Sequence, residues 1–139
     1  MLILNIPRAV LASIGSNVER GYPHETCGLL MGQQTEGVTD VIEAVQAPNL
    51  NHERPGDRYE LDPKAMLTAD RDARQKGLEI VGVWHSHPDH PARPSETDRT
   101  AAWEGWSYVI LSVSRDGVRD VRSWRLKGEQ FEEEEIVYT

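Results

Sequence analysis

Apolar positions recur along this chain in two rhythms. Val10, Leu11, Ile14 and Val18 fall three and four residues apart, the spacing of one helix face, and predict a helix from about Pro7 to Arg20 that Gly21 stops. Met66, Ala69 and Ala73, with Leu67 beside them, form a second such stripe. Asp62-Pro63 suits its N-cap and first helical position, and Gly77 its end. Both stripes read as core-facing surfaces. Around them lie short apolar runs bounded by turn residues: Leu2–Leu4, Cys27–Gly32, Val38–Ala47, Leu78–Trp84, Trp106–Ser112 and Val118–Leu126, all read as strands. Gln33–Gly37 and Asp116-Gly117 are the expected hairpin turns. Pro48–Arg58 reads as a polar surface loop, Tyr59–Leu61 as a brief strand, and Ser95–Gly105 as a short helix. Strands interleaved with helices predict an α/β fold, a single layered domain over 1–139 with a mixed β-sheet flanked by helices.

Composition narrows the function more than the fold. The formal charge of −8 argues against nucleic acid or an anionic membrane as partner, since both demand clustered Lys and Arg. Cys27 is the only cysteine, so neither an intrachain disulfide nor a cysteine-rich zinc knuckle can form. No stretch approaches 18 apolar residues, and a cytoplasmic location is the expectation. The run Glu132–Glu135 before Ile136 reads as a solvated face or as protection of an edge strand.

The chemistry concentrates in one segment. The run ending at Trp84 delivers His85 and His87 two residues apart, so on a strand both imidazoles project from one face. Pro88, Pro91 and Pro94 follow and are expected to end the strand, because proline donates no ladder hydrogen bond. Ser95 begins the short helix, and Asp98 falls in its first turn, where a loop can return its carboxylate to the histidines. Two imidazoles, one carboxylate and a water make the open three-ligand set of catalytic zinc. A plainer reading stands beside this one: Ser95-x-x-Asp98 also satisfies a looser capping-box pattern.

His85-Ser86-His87, seven residues, Ser95, two residues and Asp98 together match the signature of the JAMM (MPN-plus) metalloproteases. The chain resembles that family from about Gly21 to Trp106, and Glu25 in Pro23-His24-Glu25-Thr26-Cys27-Gly28 looks like its upstream glutamate. The resemblance implies a fold like that of cytidine deaminase, one Zn2+ held by His85, His87 and Asp98, and Glu25 as general base. It also implies Ser95 as hydrogen-bond donor to the oxyanion. The compact interval before His85 and the segment Pro88–Pro94 resemble the small bacterial branch, which is associated with ubiquitin-like sulfur-carrier proteins. The implied activity is hydrolysis of the amide bond after the C-terminal Gly-Gly of such a β-grasp protein. Its extended tail is expected to lie along an exposed sheet edge.

Two other classes compete with this reading. A catalytically silent MPN scaffold would bind partners and purify without stoichiometric metal, but such relatives generally lack motif residues that stand here. A zinc deaminase needs His-x-Glu followed by Pro-Cys-x-x-Cys, which a single cysteine cannot supply. Ser86, Trp84 and Cys27 read as structural, while His24 and His90 lie near the motif without a matching position in it.

Overall fold

The computed structural model describes residues 1–139. In chain order the elements are β1 (Ile3–Ile6), α1 (Arg8–Gly21), β2 (Cys27–Thr35), β3 (Val38–Ala47), α2 (Pro63–Gln75), β4 (Glu79–Pro88), α3 (Glu96–Ala101), β5 (Ser107–Ser114), β6 (Gly117–Lys127) and β7 (Gln130–Tyr138). The α/β class and the mixed sheet are as expected. The layered sheet with free edges is not: the strands run β1-β3-β2-β4-β5-β6-β7 and close into a barrel. Closure comes from β1, which pairs in parallel with both β3 and β7 and so consumes the two edges. Pairing is partial along several strands, and Val41–Ala47 of β3 pair with β2 alone.

The two helices pack on opposite faces of the sheet. Ile14 and Val18 of α1 join Leu30, Trp84, Val109 and Leu111 in one apolar cluster, whereas Ala69 and Ala73 of α2 join Leu29, Met31, Val83 and Tyr108 in another. Strand alternation sends neighbours such as Leu29 and Leu30 to different clusters. Leu30 pairs with Gly82 and Met31 with Ile80, so Val81 is a bulge residue that resets the alternation of β4 just before the histidines. Gly28 allows a tight crossing. A Cβ there would meet Val45 O at 2.0 Å and the Trp84 ring at 2.4 Å, and that indole donates to the same carbonyl at 3.2 Å.

Several elements differ in extent from the sequence reading. The motif strand does not stop at Trp84: it continues through His85 and His87 to Pro88, because β5 runs parallel beside it and pairs Ile110 with His85 and Ser112 with His87. Pro88 is tolerated as the last residue, where a missing donor interrupts nothing further. The helix expected over Ser95–Gly105 ends at Ala101, with Ala102 already extended. Tyr59–Leu61 is not a strand; only a single bridge, Asn49 to Leu61, forms there.

The acidic run also departs from expectation. Glu132, Glu133 and Glu135 are exposed, but Glu134 is buried. Its carboxylate accepts from Arg125 Nη2 at 2.6 Å and from Ser123 Oγ at 2.7 Å. Arg125 also donates to Thr39 Oγ1 at 2.7 Å, and that hydroxyl meets Ser107 Oγ at 2.8 Å. One buried network therefore ties β3, β5, β6 and β7 together. Arg125→Met should destabilise the protein by about 3–5 kcal/mol in urea unfolding, since it strands a buried carboxylate. Adding Glu134→Leu should recover most of the loss; no recovery would show that the pair itself, rather than the orphaned charge, carries the stability.

Candidate metal centre

Adjacent strands bring the distant motif pieces together. Start of β2 meets end of β4 in antiparallel register, Cys27 opposite His85. One residue earlier, Thr26 and Ser86 bind each other twice: Ser86 N donates to Thr26 O at 2.9 Å, and Thr26 N to Ser86 Oγ at 2.8 Å. The serine between the two histidines therefore anchors the backbone beside Glu25, which suits the structural role read for it. Glu25 itself is held by its main chain, donating from N to Pro55 O at 2.6 Å and accepting from Asn49 Nδ2 at 3.2 Å.

Asp98 arrives from the other side. Ser95 Oγ accepts from Asp98 N at 3.0 Å and Ser95 N donates to Asp98 Oδ2 at 2.9 Å, a full capping box at the start of α3. The two readings of Ser95-x-x-Asp98 thus coexist, for the box aims the same Oδ2 at the imidazoles. Oδ2 lies 3.0 Å from His87 Nε2 and 3.3 Å from His85 Nε2, and those two nitrogens are 3.2 Å apart. Glu25 closes the group, with a carboxylate oxygen and both imidazole donors all within 4.8 Å of one another.

The donor set fits a metal ion. His87 Nδ1 is 2.8 Å from Pro91 O, a bond the imidazole makes by donating, which leaves Nε2 with a bare lone pair. Three such electron-rich atoms, buried and facing each other, can share one cation. Donors about 2.0–2.1 Å from one zinc ion in a tetrahedral site stand about 3.3 Å apart, close to the spacing found. Glu25 Oε1 and His85 Nδ1 are, in addition, buried without a hydrogen-bond partner. Such orphaned groups are uncommon and mark functional places.

The electrostatics follow from burial and proximity. Burial pushes the Glu25 carboxyl up to about 8, with His87 pulling down and Asp98 pushing further up. For Asp98 burial acts upward too, yet the two imidazoles and the Ser95 N–H outweigh it and hold the carboxyl well below its ordinary range. His85, wholly buried, is lowered by desolvation, whereas for His87 the bonds to Asp98 and Pro91 outweigh burial and raise it. Burial pushes the Cys27 thiol up to about 12, which keeps it protonated and excludes it as a ligand or nucleophile, in keeping with its packing role.

Around the group opens a cleft of about 330 Å³, lined by Glu25, His87, Ser95 and residues of two loops, among them Arg58, His90 and Arg93. His90 therefore belongs to the cleft wall, while His24 lines a separate polar hollow behind Glu25 with Asn49 and His52. Several supporting residues carried no signal in the sequence. Tyr59 stacks on His85 with ring centroids 4.4 Å apart and an interplanar angle of 25°. Asn49 binds both Glu25 O and Arg58 O through Nδ2 and accepts from Glu60 N, so it pins the loop Pro48–Arg58 under the site. An aromatic after a polar loop and an asparagine within one look ordinary; only the approach of that loop to β4 gives them work.

Two imidazoles and two carboxylates converging at the strand ends of a small mixed barrel define a metal-dependent hydrolase. Residues 7–127 match the family described as prokaryotic homologs of the JAB domain. The chain belongs to that family, the JAMM metalloproteases. It is 35% identical over 119 residues, 85% of this chain and 74% of the other, to a protein of Thermus thermophilus named "Probable TtuB-protein conjugate cleaving protease". To the CysO-cysteine peptidase of Mycobacterium tuberculosis it is 31% identical over 135 residues, 96% of this chain and 90% of the relative. A solution structure from Desulfitobacterium hafniense superimposes with a TM-score of 0.86 at 29% identity, covering 99% of this chain and 93% of that one.

Proposed function

We propose that this chain is a zinc-dependent peptidase that hydrolyses the amide bond after the C-terminal Gly-Gly of a ubiquitin-like sulfur-carrier protein. His85, His87 and Asp98 would hold the ion, and Glu25 would be the base. What supports this division is distance: the His85, His87 and Asp98 donor atoms stand 3.0–3.3 Å from one another. Zinc, when bound, acidifies a coordinated water toward neutral pH and polarises a carbonyl oxygen.

The chain's own residues do the rest. Glu25 takes a proton from the attacking water and passes it to the amide nitrogen as that bond breaks. Its buried carboxyl, pushed up toward the working pH, suits a group that must both accept and release a proton. Ser95 Oγ accepts from Asp98 N, and its own O–H remains to donate toward the carbonyl oxygen in the cleft. The Gly-Gly tail reaches the cleft between the loops Pro48–Arg58 and Asp89–Pro94, whose residues line it. No helix is long and apolar enough to cross a membrane, in keeping with work on a cytoplasmic carrier.

The direct test is incubation with Gly-Gly-tailed carrier proteins bearing C-terminal adducts, read by mass spectrometry with and without a chelator. Loss of the adduct mass that the chelator stops, and that zinc restores, is the expected result. A protein that purifies without stoichiometric metal and cuts none of them is a scaffold, and the proposal falls. Ser95→Ala should lower kcat about 10²–10³-fold, as loss of one oxyanion donor does. The N-cap loss should cost about 1 kcal/mol of stability besides; an unchanged kcat would remove Ser95 from the chemistry.

A further inference from the structure

Pro88, Pro91 and Pro94 leave the segment Asp89–Pro94 short of N–H donors, so its conformation has to be held largely through its carbonyls. Three consecutive ones each accept from a side chain on a different strand. His90 O accepts from Ser112 Oγ of β5 at 2.6 Å, Pro91 O from His87 Nδ1 of β4 at 2.8 Å, and Ala92 O from Trp124 Nε1 of β6 at 3.0 Å. The segment thus lies across three neighbouring strands, with the Ala92 side chain buried. We propose that Ser112 and Trp124 are positioning residues for the metal centre. By fixing the carbonyls on either side of Pro91, they aim the Pro91 carbonyl at His87 and so present His87 Nε2 to the ion. This rests on the ligand set proposed above and adds two residues that do not line the cleft.

Each carbonyl lies in a planar peptide unit, so Ser112 holds the plane joining His90 to Pro91, and Trp124 the plane joining Ala92 to Arg93. The plane between them carries Pro91 O. Proline fixes its own φ, so that middle plane turns only about Pro91 ψ and Ala92 φ, each bounded by a pinned neighbour. Arg93 N also donates to Pro91 O at 2.8 Å, but that bond lies within the segment and moves with it. The direction of Pro91 O matters because the imidazole proton has a second place to go. His87 Nε2 stands 3.0 Å from Asp98 Oδ2, and a proton on Nε2 would make a charge-assisted bond with that carboxylate. A protonated Nε2 has no lone pair for a metal. Pro91 O keeps the proton on Nδ1 instead, and a carbonyl free to swing away would yield it to the Asp98 side. Loss of either outer bond is therefore felt at His87.

Trp124→Phe keeps an aromatic ring and deletes the N–H; Ser112→Ala deletes the hydroxyl, and Ser112→Thr keeps it. The test titrates zinc into the metal-stripped full chain in competition with a chromophoric chelator. Trp124→Phe and Ser112→Ala should each weaken zinc binding about tenfold, the low end of what a lost partner behind a metal-binding imidazole costs. Ser112→Thr should bind as the wild type does. In the metal-free protein, imidazole nitrogen resonances should show His87 as the Nδ1–H tautomer in the wild type and gain the Nε2–H form in the two weakened variants. A merely structural role would lower the Tm of the metal-free protein and leave zinc affinity and tautomer unchanged, which overturns the proposal. Weakening that threonine does not avoid overturns it as well. Should Trp124→Phe fail to fold, the Ser112 pair decides alone. A wild type that binds no zinc brings down the ligand set too, whereas normal wild-type binding that survives every substitution brings down only this inference.

Discussion

Glu25→Gln is expected to fold, to keep its full complement of metal and to lose about 10²–10⁴-fold in kcat. Glutamine preserves the volume of the side chain, and the hydrogen bonds that hold this residue in place come from its main chain, through Pro55 O and Asn49 Nδ2. Its Oε1 has no partner to lose. The substitution thus removes basicity and little else, and the rate loss is what removal of a positioned proton carrier costs. Single-turnover cleavage of an adduct-bearing carrier, alongside zinc content by mass spectrometry, checks both halves. Undiminished turnover would refute Glu25 as the base. Metal lost with the activity would make it a ligand instead.

His87→Ala should release the metal. The substitution deletes the one nitrogen that stands 3.0 Å from Asp98 Oδ2 and 3.2 Å from His85 Nε2, and no other imidazole lies near enough to replace it. In the wild type, adding a chelator should lower Tm, since an ion that binds only the folded state stabilises it in proportion to RT ln(1 + [L]/Kd). In the variant that chelator-dependent shift should vanish, and gel-filtered protein should carry zinc well below one ion per chain. Retained stoichiometric zinc would remove His87 from the ligand set.

The candidate site residues are legible in the sequence because their chemistry is tied to local spacing. His85-x-His87 on a strand puts two imidazoles on one face whatever the rest of the fold does, and the structure keeps them there. Ser95-x-x-Asp98 likewise forms within one helical turn, so capping and the presentation of Asp98 come from the same four residues. The helices α1 and α2 were readable for the same reason: a repeat of three and four residues is a property of the helix itself. Glu25 differed, for nothing near it in the chain says what it faces; only resemblance to a known family pointed to it. The β2–β4 register then brought it beside the histidines.

What the tertiary structure alone decided is everything set by pairing between distant segments. Whether the sheet ends in edges or closes depended on β1 finding β7 across more than a hundred residues, and four consecutive glutamates give no hint that one of them is buried against Arg125. The strand ran past its predicted end because β5 came alongside, and the loop Pro48–Arg58 became part of the site because Asn49 fastened it there. Local spacing governs where a side chain points relative to its neighbours in sequence, and that much the amino acids settle by themselves. Which distant surface it meets depends on burial and hydrogen bonding summed over the whole chain, and no short stretch contains that sum.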